Sequence, residues 1–187
     1  MAEPTMRERM LAGELYLADD PELARDAGRA AALSHRLNTM DPTDGVARRT
    51  LLTELLGAFG TDSEIRPPFR CDYGYQTTVG ARTFANFGLV VLDVATVTIG
   101  DDVQLGPYVQ LLTATHPVEP GPRRDKWEGA QPIVLGDNVW LGGGVIVCPG
   151  VTIGADTVVG AGSVVTRDLP PGVVAVGSPA RVVRPLE

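Results

Sequence analysis

The chain has 187 residues, a formal charge of −7 and a 44% hydrophobic share, enough for one or two domains with a sizeable core. The excess of acids argues against general affinity for nucleic acid or anionic lipid, and no apolar run approaches the length of a membrane span. Two cysteines, Cys71 and Cys148, are too few for a disulfide framework, and "MAEPTMRERML" lacks an apolar signal-peptide core, so a reducing, cytoplasmic setting is expected.

Residues 1–62 read as a small helical domain. "DPELARDAGRAAALSHRLNTM" opens with Asp20 as N-cap and Pro21 at the first helical position, and Leu23, Ala27, Ala30 and Leu33 to Leu37 recur at helical spacing. "DPTDGVARRTLLTELLGAFG" repeats the device with Asp41-Pro42, and Gly60 is the expected terminator. His35 falls in the first of these helices with no motif around it, which suits a structural or solvated residue.

A second region, 63–187, is organised by a six-residue repeat. Steps of six from Leu135 land on Leu141, Val147, Ile153, Val159 and Val165, and Gly136, Gly142, Gly154 and Gly160 follow four of these residues. The pattern recurs upstream as Ile99-Gly100, Leu105-Gly106 and Leu111, while a run through Val79-Gly80, Ala85 and Val91 is offset by two residues. A period of six fits neither an amphipathic helix nor an ordinary strand, but it fits a parallel β-helix with three hexapeptides per coil. Each aliphatic residue points inward and stacks on its equivalents, and glycine relieves the crowded corner that follows. The segment 117–132, "PVEPGPRRDKWEGAQP", holds four prolines and no hexapeptide signal, so a protruding loop is expected directly after His116. "RDLPPGVVAVGSPARVVRPLE" leaves the repeat and should cap the last coil.

The sequence resembles the maltose/galactoside O-acetyltransferase branch of the hexapeptide-repeat acyltransferases over essentially its whole length. The likeness rests on "MLAGELYLADDPEL", "PPFRCDYGYQTTVG" (67–80), "ANFGLVVLDVATVTIGDDVQLGPYVQLLTATHPVEP" (85–120), "IVLGDNVWLGGGVIVCPGVTIG" (133–154) and "GAGSVVTRDLPPGVVAVGSPARVV" (160–183). It implies a left-handed β-helix, a homotrimer with sites between neighbouring subunits, acetyl-CoA as co-substrate and no metal. Direct transfer to a hydroxyl is implied too, without an acyl-cysteine, so Cys148 is expected to fill a small corner position. By that resemblance His116 is the general base. An alcohol needs one to attack a thioester at neutral pH, and imidazole titrates in that range.

Asn86 matches the acceptor-site partner and transition-state stabiliser, its amide able to donate and accept, although an asparagine stacked at a coil corner would look the same. Asp72, Asp93 and Glu128 match acceptor-pocket positions. Both aspartates could instead bond turn amides. Ala18 and Val94 stand where the galactoside branch has acids, which favours a maltose- or glucose-like acceptor or an unassigned one. Trp140, Gly143, Ala161, Thr166, Arg167, Arg181 and Arg184 match the CoA site. The three arginines suit its phosphates in an acidic chain, but they could also be solvated cap residues. The competing readings are the same chemistry on a xenobiotic or cell-wall hydroxyl, and a non-catalytic β-helix assembly module. Loss of the histidine or CoA-site residues would favour the module, and both are retained.

Overall fold

In the computed structural model, which describes residues 3–186, the hexapeptide repeat builds three parallel sheets around a solid core, a β-solenoid of about six turns. The first face stacks Ala58–Phe59, Thr77–Val79, Val97–Ile99, Ile133–Leu135 and Thr152–Ile153. Its neighbour, the second face, stacks Glu64–Ile65, Phe84–Ala85, Gln104–Leu105, Trp140–Leu141, Val158–Val159 and Val173–Gly177. Phe69–Cys71, Leu89–Leu92, Gln110–Leu112, Ile146–Val147 and Val164–Val165 form the third. Every member of the Leu135-to-Val165 series is buried, as the spacing predicts, and these side chains pack coil upon coil. Removing one, as in Leu141→Ala, costs about 2–5 kcal/mol by the usual cavity penalty.

The coils are not all alike. In the upper half Trp140 pairs with Val158 and Ile146 with Val164, a spacing of eighteen residues. In the lower half Glu64 pairs with Phe84 and Phe69 with Leu89, a spacing of twenty. The two additional residues lie at the corner leading from the third face back to the first, and they account for the phase offset between the Val79 and Ile99 series.

The β-helix begins before residue 63, because Ala58 and Phe59 already pair with Thr78 and Val79. Helices α1 (Met6–Leu11), α2 (Pro21–Thr39) and α3 (Gly45–Leu55) precede it. Leu33, Leu37, Leu52 and Leu55 belong to the same apolar cluster as the first coils, so α2 and α3 plug the open end of the solenoid and share its core. The Asp20 carboxylate caps α2 as expected, accepting from the Glu22 amide at 2.7 Å. For α3 the cap is Asp44, which accepts from the Ala47 amide at 2.9 Å. Asp41 instead forms a turn with the amide and hydroxyl of Thr43, at 2.8 and 2.7 Å. Gly60 does not end α3. The helix stops at Leu55, the Gly57 amide already donates to Thr77, and Gly60 sits in a coil corner with its amide on Val79.

The excursion from the third face starts earlier than His116 and is largely ordered. Thr113 closes the coil by accepting from the Ala95 amide at 3.0 Å, and Ala114–Thr115 then runs outward as a strand. It pairs antiparallel with Trp127–Ala130, to which Tyr16–Leu17 adds a third strand; α4 (Pro120–Arg124) forms the tip. At the other end Ala180–Pro185 folds back antiparallel on Val173–Gly177 and closes the last coil.

Candidate active site

The corner between the second and third faces carries one half of the candidate site. Coil by coil it reads Arg66-Pro67-Pro68, Asn86-Phe87-Gly88, Gly106-Pro107-Tyr108, Gly142-Gly143-Gly144 and Gly160-Ala161-Gly162. The lower levels carry side chains, while the upper two are nearly bare backbone. At Gly142 packing demands this: a Cβ would lie 2.6 Å from the Ala161 nitrogen of the next coil. At Gly143 packing does not, since a Cβ would meet nothing closer than Pro107 Cδ at 3.3 Å. A bare position where packing is tight but does not by itself forbid a side chain suits close approach of a ligand to the backbone. Among the described residues, no hydrogen bond within the chain engages the amides of Gly143 and Ala161. The equivalent amides at the corner between the first and second faces, those of Ala81 and Asp101, are instead capped by Asp101 and Asp137 at 2.8 Å.

Other residues matched to CoA continue this surface upward. Trp140 is 55% exposed on the second face, and its outward column runs through Val158 and Val174 to Arg184 on the closing strand. Arg181 pairs with Val176, whose side chain covers Gly160. Arg167 and Arg181 line one depression of about 160 Å³ at the capped end. Thr166 is exposed on the corner leading from the third face to the first.

Asn86 stands two coils below Gly142 in the same column. Its Oδ1 accepts from the Phe87 amide at 2.9 Å, which turns the Nδ2 group away as a donor. Half of the amide's expected versatility is thus committed locally.

His116 lies on a different corner. It follows Ala114–Thr115 where that strand leaves the solenoid between the third and first faces, and it is exposed. Thr115 pairs with Gly129 and Tyr16 with Glu128, so the end of the excursion brings Tyr16 and Glu128 beside the histidine's position. The Tyr16 hydroxyl donates to Glu128 Oε2 at 2.8 Å, and burial together with that bond raises the phenol's pKa. Burial also pushes the Asp72 carboxyl up to about 6, helped by the charges of Asp93 and Glu128. Three matched acids, Asp72, Asp93 and Glu128, therefore do converge near one corner.

Asp93 takes the alternative role left open for it. Its side chain has no exposed surface, and it accepts from the amides of Asp72 and Tyr73 at 3.1 and 2.9 Å and from the Thr77 hydroxyl at 3.2 Å. As placed it organises the wide lower corner, the turn-amide role that the sequence also allowed for it. Tyr16 is the neighbour that sequence reasoning missed. Nothing in its local pattern links it to Glu128, which lies 112 residues away. Burial pushes the Cys71 thiol up to about 12, and Cys148 is half-buried at a coil corner. His35 is exposed on α2.

A parallel hexapeptide solenoid with a histidine-bearing excursion and a bare, amide-lined corner defines a class of acyltransferase. Residues 9–60 match the maltose acetyltransferase hexapeptide capping motif, and residues 132–167 match the bacterial transferase hexapeptide (six repeats). Nodulation protein L of Rhizobium meliloti (strain 1021) is 50% identical over 178 residues, 95% of this chain and 97% of that one. The structure is similar to that of a maltose O-acetyltransferase from Clostridium difficile 630, with a TM-score of 0.97, 42% identity and full coverage of both chains. It is also similar to a galactoside acetyltransferase in complex with coenzyme A, with a TM-score of 0.95 and 38% identity over 99% of this chain and 92% of that one. The chain belongs to the maltose/galactoside branch of the hexapeptide-repeat acetyltransferases, and its solenoid is the left-handed β-helix of that family. Among the described residues no helix is long and apolar enough to cross a membrane.

Proposed function

We propose that the protein transfers acetyl from acetyl-CoA to a hydroxyl of a maltose- or glucose-like sugar, in a homotrimer whose sites each draw on two subunits. The separation of Asn86 and His116 onto two different corners of one solenoid carries this reading. A single chain does not bring the two together, whereas a neighbouring copy can present its excursion to the Asn86 corner.

The bare upper corner fits the extended arm of CoA. The free amides of Gly143 and Ala161 lie one coil apart, about 4.8 Å by ladder spacing, and offer donors to its carbonyls. Arg167, Arg181 and Arg184 at the capped end give charge-assisted partners for its phosphates. Acetyl-CoA supplies the activated acetyl group. His116 takes the proton from the attacking hydroxyl as the new carbon–oxygen bond forms and the carbon–sulfur bond breaks, then passes that proton to the departing thiolate. The Nδ2 of Asn86 donates to the hydroxyl oxygen or to the charge developing beside it, and the Gly143 amide is placed to share that charge. Asp72 and Glu128 hold further sugar hydroxyls near the histidine.

Mixing subunits tests the shared site. His116→Ala and Asn86→Ala homomers are each expected to be nearly inactive. After dissociation and random reassembly, about a quarter of the interfaces in a cyclic trimer pair an intact Asn86 with an intact His116. Thiol release should return to that fraction of the wild-type rate. A mixture as inactive as its parents, with exchange verified by mass, would place both groups in one subunit's site and remove this account.

A further inference from the structure

The lower part of the Asn86 corner is built differently from the part assigned to CoA, and one residue there breaks a backbone rule. In the third position of this corner Gly88, Gly144 and Gly162 have φ of +82°, +68° and +70°, the left-handed region that glycine enters freely. The same position in the intervening coil is Tyr108, with φ of +59°. A bulky residue there is strained and holds its place only against a steady cost. The ring is not repaid by burial, since Tyr108 is 64% exposed. It lies against Gly88, where a Cβ would come within 2.4 Å of Tyr108 Cδ1, so the chain leaves that surface clear for the ring.

Phe87, the residue after Asn86, is 42% exposed, and its carbonyl accepts from the Tyr108 amide at 3.0 Å. Two exposed aromatics thus flank Asn86 on adjacent coils. Phe87 also lines a cleft of about 390 Å³ with Pro42, Pro67, Arg48, Glu64 and Arg66. Arg66 occupies the corner column directly below Asn86 and bonds Glu64 at 3.4 Å. The cleft therefore leads away from Asn86, on the side opposite the bare CoA corner, and it offers an aromatic face, a guanidinium and a carboxylate. A pyranose ring has an apolar face for stacking and a rim of hydroxyls that such a pair can bond. The volume falls within the range of small-molecule sites.

We infer that Tyr108, Phe87 and the cleft beside Arg66 form a second sugar subsite, which makes the preferred acceptor at least a disaccharide. The first ring presents its hydroxyl to Asn86 and His116, and the next ring rests on the aromatics. This inference rests on the sugar-acceptor reading above.

The test compares kcat/KM for glucose and galactose with that for maltose, cellobiose and lactose, using the assembled protein and saturating acetyl-CoA. The best disaccharide should exceed its monosaccharide by about tenfold, the scale of one good aromatic contact. In Tyr108→Asn, whose side chain tolerates the left-handed backbone, and in Phe87→Ser, that ratio should fall toward one. Sedimentation should match the wild type in both. Monosaccharides acetylated as well as every disaccharide would overturn the subsite and leave the sugar reading intact. A ratio unchanged in both variants would do the same, and a shifted sedimentation coefficient alongside it would assign Tyr108 to a contact between copies. Acetylation of no sugar at all would sink both readings together.

Discussion

The upper and lower halves of the β-helix use one repeat for two purposes. Above residue 133 the coils are eighteen residues long, and the corner between the second and third faces is glycine and alanine, little beyond backbone. Below residue 113 the coils take twenty residues, and the corners carry Asp72, Asn86, Phe87, Asp93 and Tyr108. Regularity suits the shared co-substrate, whose extended arm needs stacked amides and space. Irregularity suits the acceptor, which must be told apart by side chains. The two additional residues widen the corner that holds Asp72 and Asp93, whereas Asn86, Phe87 and Tyr108 stand on the corner between the second and third faces, which has the same length in both halves.

The largest expected effect breaks the lower half's chemistry. His116→Ala should lower kcat by about 10²–10⁴-fold, the usual span for a lost general base, and leave the CoA dissociation constant close to wild type. The side chain is exposed and takes no part in the inward stack, so folding should be unaffected. Near-normal turnover in this variant would move the base elsewhere.

The upper half is tested with Gly143→Val. A Cβ at this position stands 3.3 Å from Pro107 Cδ, a tight contact that the proline ring must relieve by a few tenths of an ångström, so a melting curve first checks that the variant folds. Its side chain should then stand in the groove and raise the KM for acetyl-CoA by about 10–100-fold, from an overpacking penalty of roughly 1–3 kcal/mol, with a far smaller change in acceptor KM. An unaltered KM for acetyl-CoA would mean that the bare corner is not the groove.

The contrast between the halves also governs what could be read without coordinates. Five unbroken steps of six, from Leu135 to Val165, specify inward stacking, and all six of those residues are buried. The lower offset of two was visible, but its cause was not, because residues 72–76 carry no period and their shape depends on Asp93 in the next coil. Asp41-Pro42 reads as the start of α3 in the sequence, but the cap in the structure is Asp44. The deciding factor is that Asp41 is already held by Thr43. The Ala114–Thr115 strand is too short to show alternation, and Tyr16–Leu17, which completes its sheet across Trp127–Ala130, lies about a hundred residues earlier in the chain. α1 is marked in the sequence itself, since Thr5 and Glu8 form a reciprocal capping box. For the candidate site, residue types and motifs indicated the chemistry. Division of the site between two corners came only from the fold.

The smallest expected effect concerns Asp72, where the lower half trades stability for an acid. Its carboxyl, ordinarily near 3.8, is pushed up to about 6 by burial and by Asp93 and Glu128. A raised carboxyl binds its proton more tightly in the folded state than in the unfolded one. Stability from this group is therefore fully present below about pH 4 and is lost as pH rises through 6, the reverse of a salt-bridged aspartate. A shift of this size would be about 3 kcal/mol for a fully buried group, and partial exposure reduces it to roughly 1–2 kcal/mol. Asp72→Asn should accordingly melt about 2–6 °C higher than wild type at pH 7.5 and close to wild type at pH 4. If Asp72 holds acceptor hydroxyls, the same variant should raise the acceptor KM, so greater stability would accompany weaker function. An equal stability gain at both pH values would show that packing is responsible and that the acid carries no strain. A gain at pH 7.5 with unchanged acceptor KM would keep the electrostatic account and remove Asp72 from the sugar pocket, leaving Glu128 as the acid beside His116.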